Sequence, residues 1–199
     1  MKRPTKEQIR ELPTYEGICL ENIIVVTNKD DANHALAELG KHSCLGFDTE
    51  SKPCFKKGEV SDGPHLIQLA TTSKAFLFPT KFFSHFSEIA TILSDPKIKK
   101  VGFGLKEDKK LLFRKFGIEL INSEELSSKV KNFAQVKDPV GARVAVAMFF
   151  NQRLPKGAQK SNWSIFPLKD HQKRYAANDA YSALLIELAM EKFSGVPTQ

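Results

Sequence analysis

The chain has few cysteines and histidines, and neither residue type clusters along it. The three cysteines, Cys19, Cys44 and Cys54, are odd in number and lack metal-ligand spacing. The five histidines form no zinc-binding pattern either. We therefore expect free thiols in a reducing compartment, and neither a disulfide framework nor a structural zinc site.

Long apolar runs are absent as well. No segment approaches the ~20 apolar residues that a membrane-spanning helix needs, and polar residues follow Met1 to Pro4 where a signal peptide would have an apolar stretch. Internal repeats and low-complexity tracts are also missing. With 41% hydrophobic residues among 199, the composition predicts a single domain over residues 1–199 with a real core, no membrane contact and an intracellular, cytoplasmic location.

The chain does contain three short acidic clusters. The first holds Asp48 and Glu50 at the end of an apolar stretch that begins at Ser43 and predicts a buried strand. Because alternate residues of a strand point to the same face, both carboxylates are expected on one side. Two adjacent anions without a cation raise at least one pKa, so the pair indicates a metal, a basic partner or a merely solvated strand end.

The third cluster lies on a long helix predicted over residues 168–193. The core-facing row of this helix, at intervals of four residues, consists of Ala176, Ala180, Leu184 and Leu188. Tyr175 and Asp179 lie one turn apart in the neighbouring row, beside the core. Two interpretations fit this pair: an acid and a hydroxyl at a reaction centre, or a hydrogen bond that fixes the helix.

The middle cluster opens another predicted helix, after a strand-like segment at 98–103. Asp108 lies near the start of this helix, where the helix dipole alone already favours an acid. The neighbouring Glu107 is a rival for any role given to Asp108. The apolar positions that make the helix amphipathic are Leu105, Leu111, Leu112 and Phe116.

Together the three clusters carry a family resemblance. Phe47-Asp48-Thr49-Glu50, Gly104-x-x-x-Asp108-x-x-x-Leu112 and Tyr175-x-x-x-Asp179 resemble, in this order, the three motifs of the DEDDy 3′→5′ exonucleases, the family of ribonuclease D and Werner-type exonuclease domains. The flanking sequence is similar too, and the resemblance covers about residues 23–193. The tyrosine four residues before the last aspartate identifies the tyrosine class, because Arg174 stands where the other class has histidine.

The resemblance implies a fold, a reaction and two divalent cations, Mg²⁺ or Mn²⁺. The fold is ribonuclease H-like α/β, a mixed β-sheet flanked by α-helices. Asp48 would bridge both cations, Glu50 and Asp179 would complete the site of the ion that activates water, and Asp108 would hold the second ion. Tyr175 would orient the attacking water. By the same resemblance the chain removes nucleoside 5′-monophosphates from the 3′ end of a DNA or RNA partner by a two-metal-ion mechanism.

Two other functions are compatible with the sequence. The first is a catalytically silent nucleic-acid-binding module of the same fold, with the acids holding a structural ion. The second is a metal-dependent endonuclease. All four acids and the tyrosine are present, which favours activity, and only an exonuclease would release mononucleotides from its first turnover.

The formal net charge of +7 favours a polyanionic partner despite the acidic clusters. Thr49, Lys106 and Phe103 lie beside the motifs and are candidates for substrate binding; Phe103 would stack on a terminal base or belong to the core. Further basic residues near the motifs would hold the substrate backbone or form solvated faces. They are Lys52, Lys56, Lys57, Lys109, Lys110, Arg114, Lys115, Lys169, Lys173 and Arg174.

After a polar N-terminal lead to about residue 22, the rest of the chain predicts strands and helices of a mixed sheet. Strands are expected at 23–26, 65–71, 74–78 and 118–121, of which 65–71 and 74–78 form a hairpin. Helices are expected at 29–39, 82–93 and 140–150. The loops 51–64 and 151–162 are rich in Lys, Gly, Pro and Ser, and the first is expected to border the substrate entrance because it leaves from Glu50.

Overall fold

A six-stranded mixed sheet forms the centre of the structure. This computed structural model describes residues 1–54, 58 and 60–195, and its strands are ordered β1-β4-β3-β2-β5-β6. The strands are β1 (Ile23–Val25), β2 (Cys44–Glu50), β3 (Leu66–Ala70), β4 (Ala75–Pro79), β5 (Lys99–Gly102) and β6 (Ser123–Glu125). The strand β3 is antiparallel to β2 and β4, whereas the other neighbouring pairs are parallel.

Helices cover both faces of this sheet. They are α1 (Lys6–Glu11), α2 (Lys29–Leu39), α3 (Ile89–Leu93), α4 (Leu105–Phe116), α5 (Leu126–Ala134), α6 (Ala142–Phe150) and α7 (Asp170–Phe193). One core cluster joins α2, α3 and α4 to the first face, and two further clusters join α5, α6 and α7 to the second. The predicted fold class, a ribonuclease H-like mixed sheet between helices, is confirmed.

The central strand β2 is in contact with helices on both faces. Leu45 and Phe47 are fully buried in the cluster with α2, α3 and α4. Gly46 points the opposite way, and a Cβ atom there would lie 1.9 Å from the carbonyl oxygen of Ala180 in α7. Because side chains alternate along a strand, Asp48 and Glu50 continue the α7 face.

The predicted helix at 82–93 is wrong in its extent. A short 3-10 helix covers Thr80–His85, and α3 begins only at Ile89. The chain leaves the helical conformation at Phe86, where φ is −139° and ψ is 30°. The ring of Phe86 is buried against Phe78 and Phe83, so packing of the aromatic side chains interrupts the helix.

The predicted strand at 118–121 is also wrong. Ile118 and Leu120 are buried and Glu119 is exposed, which accounts for the strand-like alternation in the sequence. The hydrogen-bonded partner of β5 is instead the polar segment Ser123–Glu125. Residues 118–121 therefore bury alternate side chains although their backbone does not pair with a strand of the sheet.

The N-terminal lead is more ordered than predicted. It contains α1, which begins with a capping box at Thr5, and it buries Tyr15 and Ile18. The Tyr15 amide donates to the carbonyl of Arg153 (3.0 Å), and the Ile18 amide donates to Oδ1 of Asn178 in α7 (3.0 Å). This segment therefore packs beside the helix that carries the third motif.

The remaining elements agree with the sequence to within a few residues. The hairpin of β3 and β4 is confirmed, with the Thr71 amide donating to the carbonyl of Lys74 (2.9 Å) across the turn. All three cysteines are free. Over the part of the chain that the structure describes, no helix combines the length and the apolar character needed to cross a membrane.

Candidate active site

Three carboxylates meet at the carboxyl end of β2. One oxygen from each of Asp48, Glu50 and Asp179 lies within 4.8 Å of the other two. Among the described residues, no other group of three or more histidine, cysteine or acidic side chains has such spacing. The site thus unites the first and third sequence clusters.

Close packing of α7 on β2 brings these acids together. Gly46 lets the backbone of α7 approach the strand at Ala180, and Asp179 directly precedes that contact. Two residues beyond Gly46 on the same face lies Asp48, and two further on lies Glu50. The approach of α7 at Gly46 therefore determines how close Asp179 lies to Asp48 and Glu50.

The predicted Tyr175 lies one helical turn before Asp179. The two side chains interact electrostatically: the Tyr175 hydroxyl lowers the pKa of Asp179, and the Asp179 carboxylate raises the pKa of Tyr175. Its ring lies 6.0 Å, centroid to centroid, from the ring of Trp163, which is buried. The tyrosine is thus held between an indole ring and an acid of the cluster.

Asp108 reaches the same strand end from the opposite face. Thr49 points away from Asp48 and Glu50, and its hydroxyl donates a hydrogen bond to Oδ1 of Asp108. Asp108 is 8% exposed and stands outside the group of three, although its charge acts on both Asp48 and Glu50. Thr49 therefore links the second motif to the first.

The sequence left Glu107 as a rival of Asp108, and the structure separates the two. Glu107 is exposed and pairs with Lys110 (2.7 Å) on the surface of α4. Asp108 faces the strand end instead. The start of α4 is held by Glu125, whose carboxylate accepts from the amides of Gly104 (3.1 Å) and Leu105 (2.9 Å).

The acids of the site have raised pKa values. Burial, followed by the charges of Asp179, Asp108 and Glu50, raises the pKa of Asp48 well above its usual range. Burial and the neighbouring acids raise the pKa of Glu50 to about 9. Burial raises the pKa of Asp179 to about 7 and that of Asp108 to about 6, while hydrogen bonds from Tyr175 and Thr49 act in the opposite direction. Such a cluster of hard oxygen ligands is electrostatically suited to a divalent cation.

A cleft of about 290 Å³ opens beside the acids. Asp48, Asp179, Tyr175 and the predicted Phe103 line it. Phe103 is half-buried and also packs against the cluster of α5, α6 and α7, as its core interpretation requires, and stacking on a terminal base stays a prediction. The predicted Lys106 is exposed on α4 and does not line this cleft.

The sequence did not single out several polar residues of the cleft. They are Arg143 in α6 and Lys156 and Gln159 in the loop 151–162. They follow no acidic motif, and only the basic, glycine-containing composition of the loop hinted at a role. They reach the cleft because α6 packs on α7.

Five of the basic residues considered for substrate binding have partners within the chain. Lys52 pairs with Asp62 (2.9 Å), Lys110 with Glu107 and Lys173 with Asp170 (3.1 Å). Arg114 and Lys115 donate to the carbonyls of Ser61 and Pro64, so they fasten residues 61–64 to α4. Two others, Lys56 and Lys57, lie outside the described residues.

The central strand of the mixed sheet ends in two carboxylates, and helices on both faces supply further acids. This arrangement defines the class of ribonuclease H-like nucleases with four acidic residues. The chain belongs to the 3′-5′ exonuclease family, whose model matches residues 23–193. The first and third motifs and Asp108 all fall within the matched segment.

One curated relative and two solved structures illustrate the similarity. The mouse bifunctional 3′-5′ exonuclease/ATP-dependent helicase WRN is 32% identical over 145 residues, which is 71% of this chain but only 10% of that protein. The Aedes aegypti Nibbler EXO domain has a TM-score of 0.76 at 23% identity, covering 90% of this chain and 91% of that one. Trypanosoma brucei RNase D in complex with RNA U12 has a TM-score of 0.77 at 20% identity, covering 97% and 67%. At these identities the two structures show the fold alone.

Proposed function

We propose that this chain is an active 3′→5′ exonuclease that hydrolyses the phosphodiester bonds of DNA or RNA and releases nucleoside 5′-monophosphates. The observation that carries the proposal is the convergence of Asp48, Glu50 and Asp179 within 4.8 Å, with Tyr175 one helical turn before Asp179. A merely structural role would not explain why three acids with raised pKa values adjoin an open cleft.

The donor set fits two divalent cations, Mg²⁺ or Mn²⁺. Carboxylate oxygens are the ligands that these ions prefer, and buried acids that raise one another's pKa values would be stabilised by a divalent cation. Asp48, Glu50 and Asp179 would hold one ion, and Asp48 and Asp108 the other. When bound, the ions would stabilise charge on the phosphoryl oxygens and lower the pKa of a water molecule.

Tyr175 would orient the attacking water rather than remove its proton. Burial and the nearby Asp179 carboxylate raise the pKa of the Tyr175 hydroxyl, so the phenol stays protonated at neutral pH. A protonated hydroxyl can donate to one oxygen and accept from another. Arg143 and Lys156 line the cleft and would contact the phosphates of the strand, which gives affinity without sequence preference.

The proposal is tested with matched DNA and RNA oligonucleotides labelled at the 5′ end, incubated with Mg²⁺ or Mn²⁺. The expected result is a metal-dependent ladder that shortens from the 3′ end and releases mononucleotides from the first turnover. EDTA should abolish it because it removes the metal ions, and the Asp48→Ala variant should abolish it because it removes a carboxylate ligand of the site. The two polymers, compared at equal concentration, assign the preferred sugar.

Two outcomes would overturn the proposal. Large internal fragments at early times would show an endonuclease. Binding of the oligonucleotides without any shortening, with either metal and either polymer, would show a silent nucleic-acid-binding module. Thermal unfolding of Asp48→Ala at or above the wild-type temperature shows that any loss of activity is not a loss of fold.

A further inference from the structure

A buried glutamine lies beside the acidic site. The sheet register pairs Gln68 of β3 with Asp48 of β2, so the two side chains lie opposite each other on the face that packs on α7. Directly opposed residues of antiparallel strands have Cβ atoms about 4.5–5.5 Å apart. Gln68 is fully buried, and over the part of the chain that the structure describes neither the oxygen nor the nitrogen of its side-chain amide has a hydrogen-bond partner.

Apart from Asp48, the side chains next to Gln68 in the sheet are apolar. Leu66 and Ala70 flank it on the same face of β3, and Leu77 is paired with it in β4. These three residues belong to the core cluster that also joins α7 to the sheet. Among these described neighbours, Asp48 alone carries a polar group.

The stability of the fold does not account for a glutamine at this position. A buried amide without a partner is unfavourable, because both polar atoms lose their hydrogen bonds to water on folding. An apolar side chain of similar length would suit the surrounding core cluster and avoid this loss. Departures of this kind from apolar core packing are typical of functional sites.

Gln68 can act on the reaction only through another residue. Its amide atoms are buried, and Gln68 is not among the described residues that line the cleft. Asp48 does line the cleft, with Gln68 beside it within the sheet. The terminal torsion of a glutamine side chain has a broad energy minimum, so the amide can turn toward the carboxylate without a shift of the backbone.

We propose that Gln68 is a positioning residue of the metal site, which donates a hydrogen bond from Nε2 to the Asp48 carboxylate when divalent cations are bound. This inference rests on the proposed function, in which Asp48 is a ligand of both ions. A carboxylate has about four acceptor positions, so Asp48 can contact two ions and still accept from an amide. The hydrogen bond would hold the carboxylate in one orientation toward the ions.

The test compares the affinity for Mn²⁺ and the stability of the wild-type protein and Gln68→Met. Methionine keeps the length of the side chain and removes both polar atoms of the amide. In a titration without nucleic acid, with free Mn²⁺ measured by electron paramagnetic resonance, the affinity of Gln68→Met should be about 10- to 100-fold weaker. The Tm of Gln68→Met in EDTA should equal or exceed that of wild type, because no unpaired amide is buried. A merely structural glutamine would give the opposite pattern, a lower Tm with unchanged affinity.

Two further variants separate the loss of the amide from a change in packing. Leu66→Met is the matched control, because Leu66 is fully buried on the same face of β3, opposite Glu50, and the change conserves volume. Its affinity for Mn²⁺ should equal that of wild type. Gln68→Leu is a second apolar replacement, and it should weaken Mn²⁺ binding as Gln68→Met does.

Several results would overturn the role of Gln68. They are Mn²⁺ binding by Gln68→Met or Gln68→Leu as tight as that of wild type, an equal loss of affinity in Leu66→Met, a lower Tm of Gln68→Met in EDTA, and a wild-type protein that binds no Mn²⁺. Failure of the exonuclease proposal looks different. A wild-type protein that binds Mn²⁺ but produces no degradation ladder refutes the exonuclease, while the Mn²⁺ affinities of the variants still report on Gln68.

Discussion

At the scale of single residues, Tyr175 lies beside the acid Asp179 and lines the cleft next to the three carboxylates. Its hydroxyl lowers the pKa of Asp179, its ring lies beside the ring of Trp163, and it lines the cleft. Because its pKa is raised, we expect it to act by position and hydrogen bonding rather than as a base. Substitutions that remove only its oxygen therefore isolate its role.

We expect Tyr175→Phe to slow turnover by about 10²-fold or more, because the attacking water loses its orienting hydroxyl. Oligonucleotide binding and thermal stability should change little. Single-turnover kinetics with saturating enzyme measure the effect. Tyr181→Phe is the control on the same helix, since the Tyr181 hydroxyl donates only to the carbonyl of Thr72. An unchanged rate in Tyr175→Phe would remove the tyrosine from the mechanism.

Adjacent acids at the start of α4 offer a second test at this scale. Asp108→Asn should lower the rate by at least about 10²-fold and raise the metal concentration needed for activity, because a ligand of the second ion loses its charge. Glu107→Gln should behave as wild type, since Glu107 faces solvent and pairs with Lys110. Rates measured over a series of Mn²⁺ concentrations test this prediction. Equal losses of rate in Asp108→Asn and Glu107→Gln would contradict the assignment of Asp108 as the metal ligand.

At the scale of elements, the site depends on how closely α7 lies on β2. Asp48 and Glu50 are fixed by the alternation of the strand, whereas Asp179 reaches them only if the helix backbone touches the strand at Gly46. No side chain separates the two backbones there. Packing and catalysis are therefore linked through one small residue.

Gly46→Ala should lower the stability by about 3 kcal/mol, or roughly 6–12 °C in Tm, because its Cβ would clash with the backbone of α7. Activity at low temperature should also fall, since Asp179 moves away from Asp48. Calorimetry and the oligonucleotide assay measure the two effects. Gly141→Ala is the matched control for stability, because a Cβ at that position meets no atom within 4 Å. Similar Tm values for both variants would refute this account of the packing.

At the scale of the whole molecule, the acidic site makes folding stability depend on pH and metal. Without cations, Glu50 (pKa about 9) and Asp179 (pKa about 7) keep protons in the folded protein that the unfolded chain, with ordinary values of 4.5 and 3.8, has released. The folded state thus binds more protons, so the free energy of unfolding decreases as pH rises from about 4 to about 9. The proposed divalent cations would replace those protons and stabilise the protein more at higher pH.

We therefore expect the Tm in EDTA to fall between pH 5 and pH 9, by about 2–4 °C for each kcal/mol lost. Added Mn²⁺ should reduce this fall. Glu50→Gln should flatten the EDTA profile, because it removes the group with the highest of these pKa values. Differential scanning calorimetry over the pH series provides the measurement. A wild-type profile that is level or rises, or a Glu50→Gln profile as steep as wild type, would contradict the expectation.

The sequence predicted the parts of the site that depend on local periodicity. Alternation placed Asp48 and Glu50 on one face, and helical spacing placed Tyr175 beside Asp179. The link from Thr49 to Asp108 was not predictable in this way, because it forms across a strand end between residues distant in the chain. Arg143 and Lys156 were missed for the same reason, since tertiary packing of α6 and the following loop brings them to the cleft.

The sequence also predicted those parts of the fold that depend on local periodicity. Strongly periodic segments such as α7 and the hairpin of β3 and β4 agree with the structure. The strand expected at 118–121 failed because Ile118 and Leu120 alternate for packing alone, and polar Ser123–Glu125 forms the edge strand instead. Edge strands receive hydrogen bonds from one side only, so polar residues are acceptable there.

The late position of α7 in the chain has a consequence for synthesis on the ribosome. All six strands precede α7, yet this helix packs against β1 to β5 and supplies Asp179. While the chain is being made, one face of the emerging sheet stays without its main cover until α7 leaves the exit tunnel. Nascent chains that stall before α7 should therefore expose apolar surface and recruit chaperones, and they carry no complete metal site.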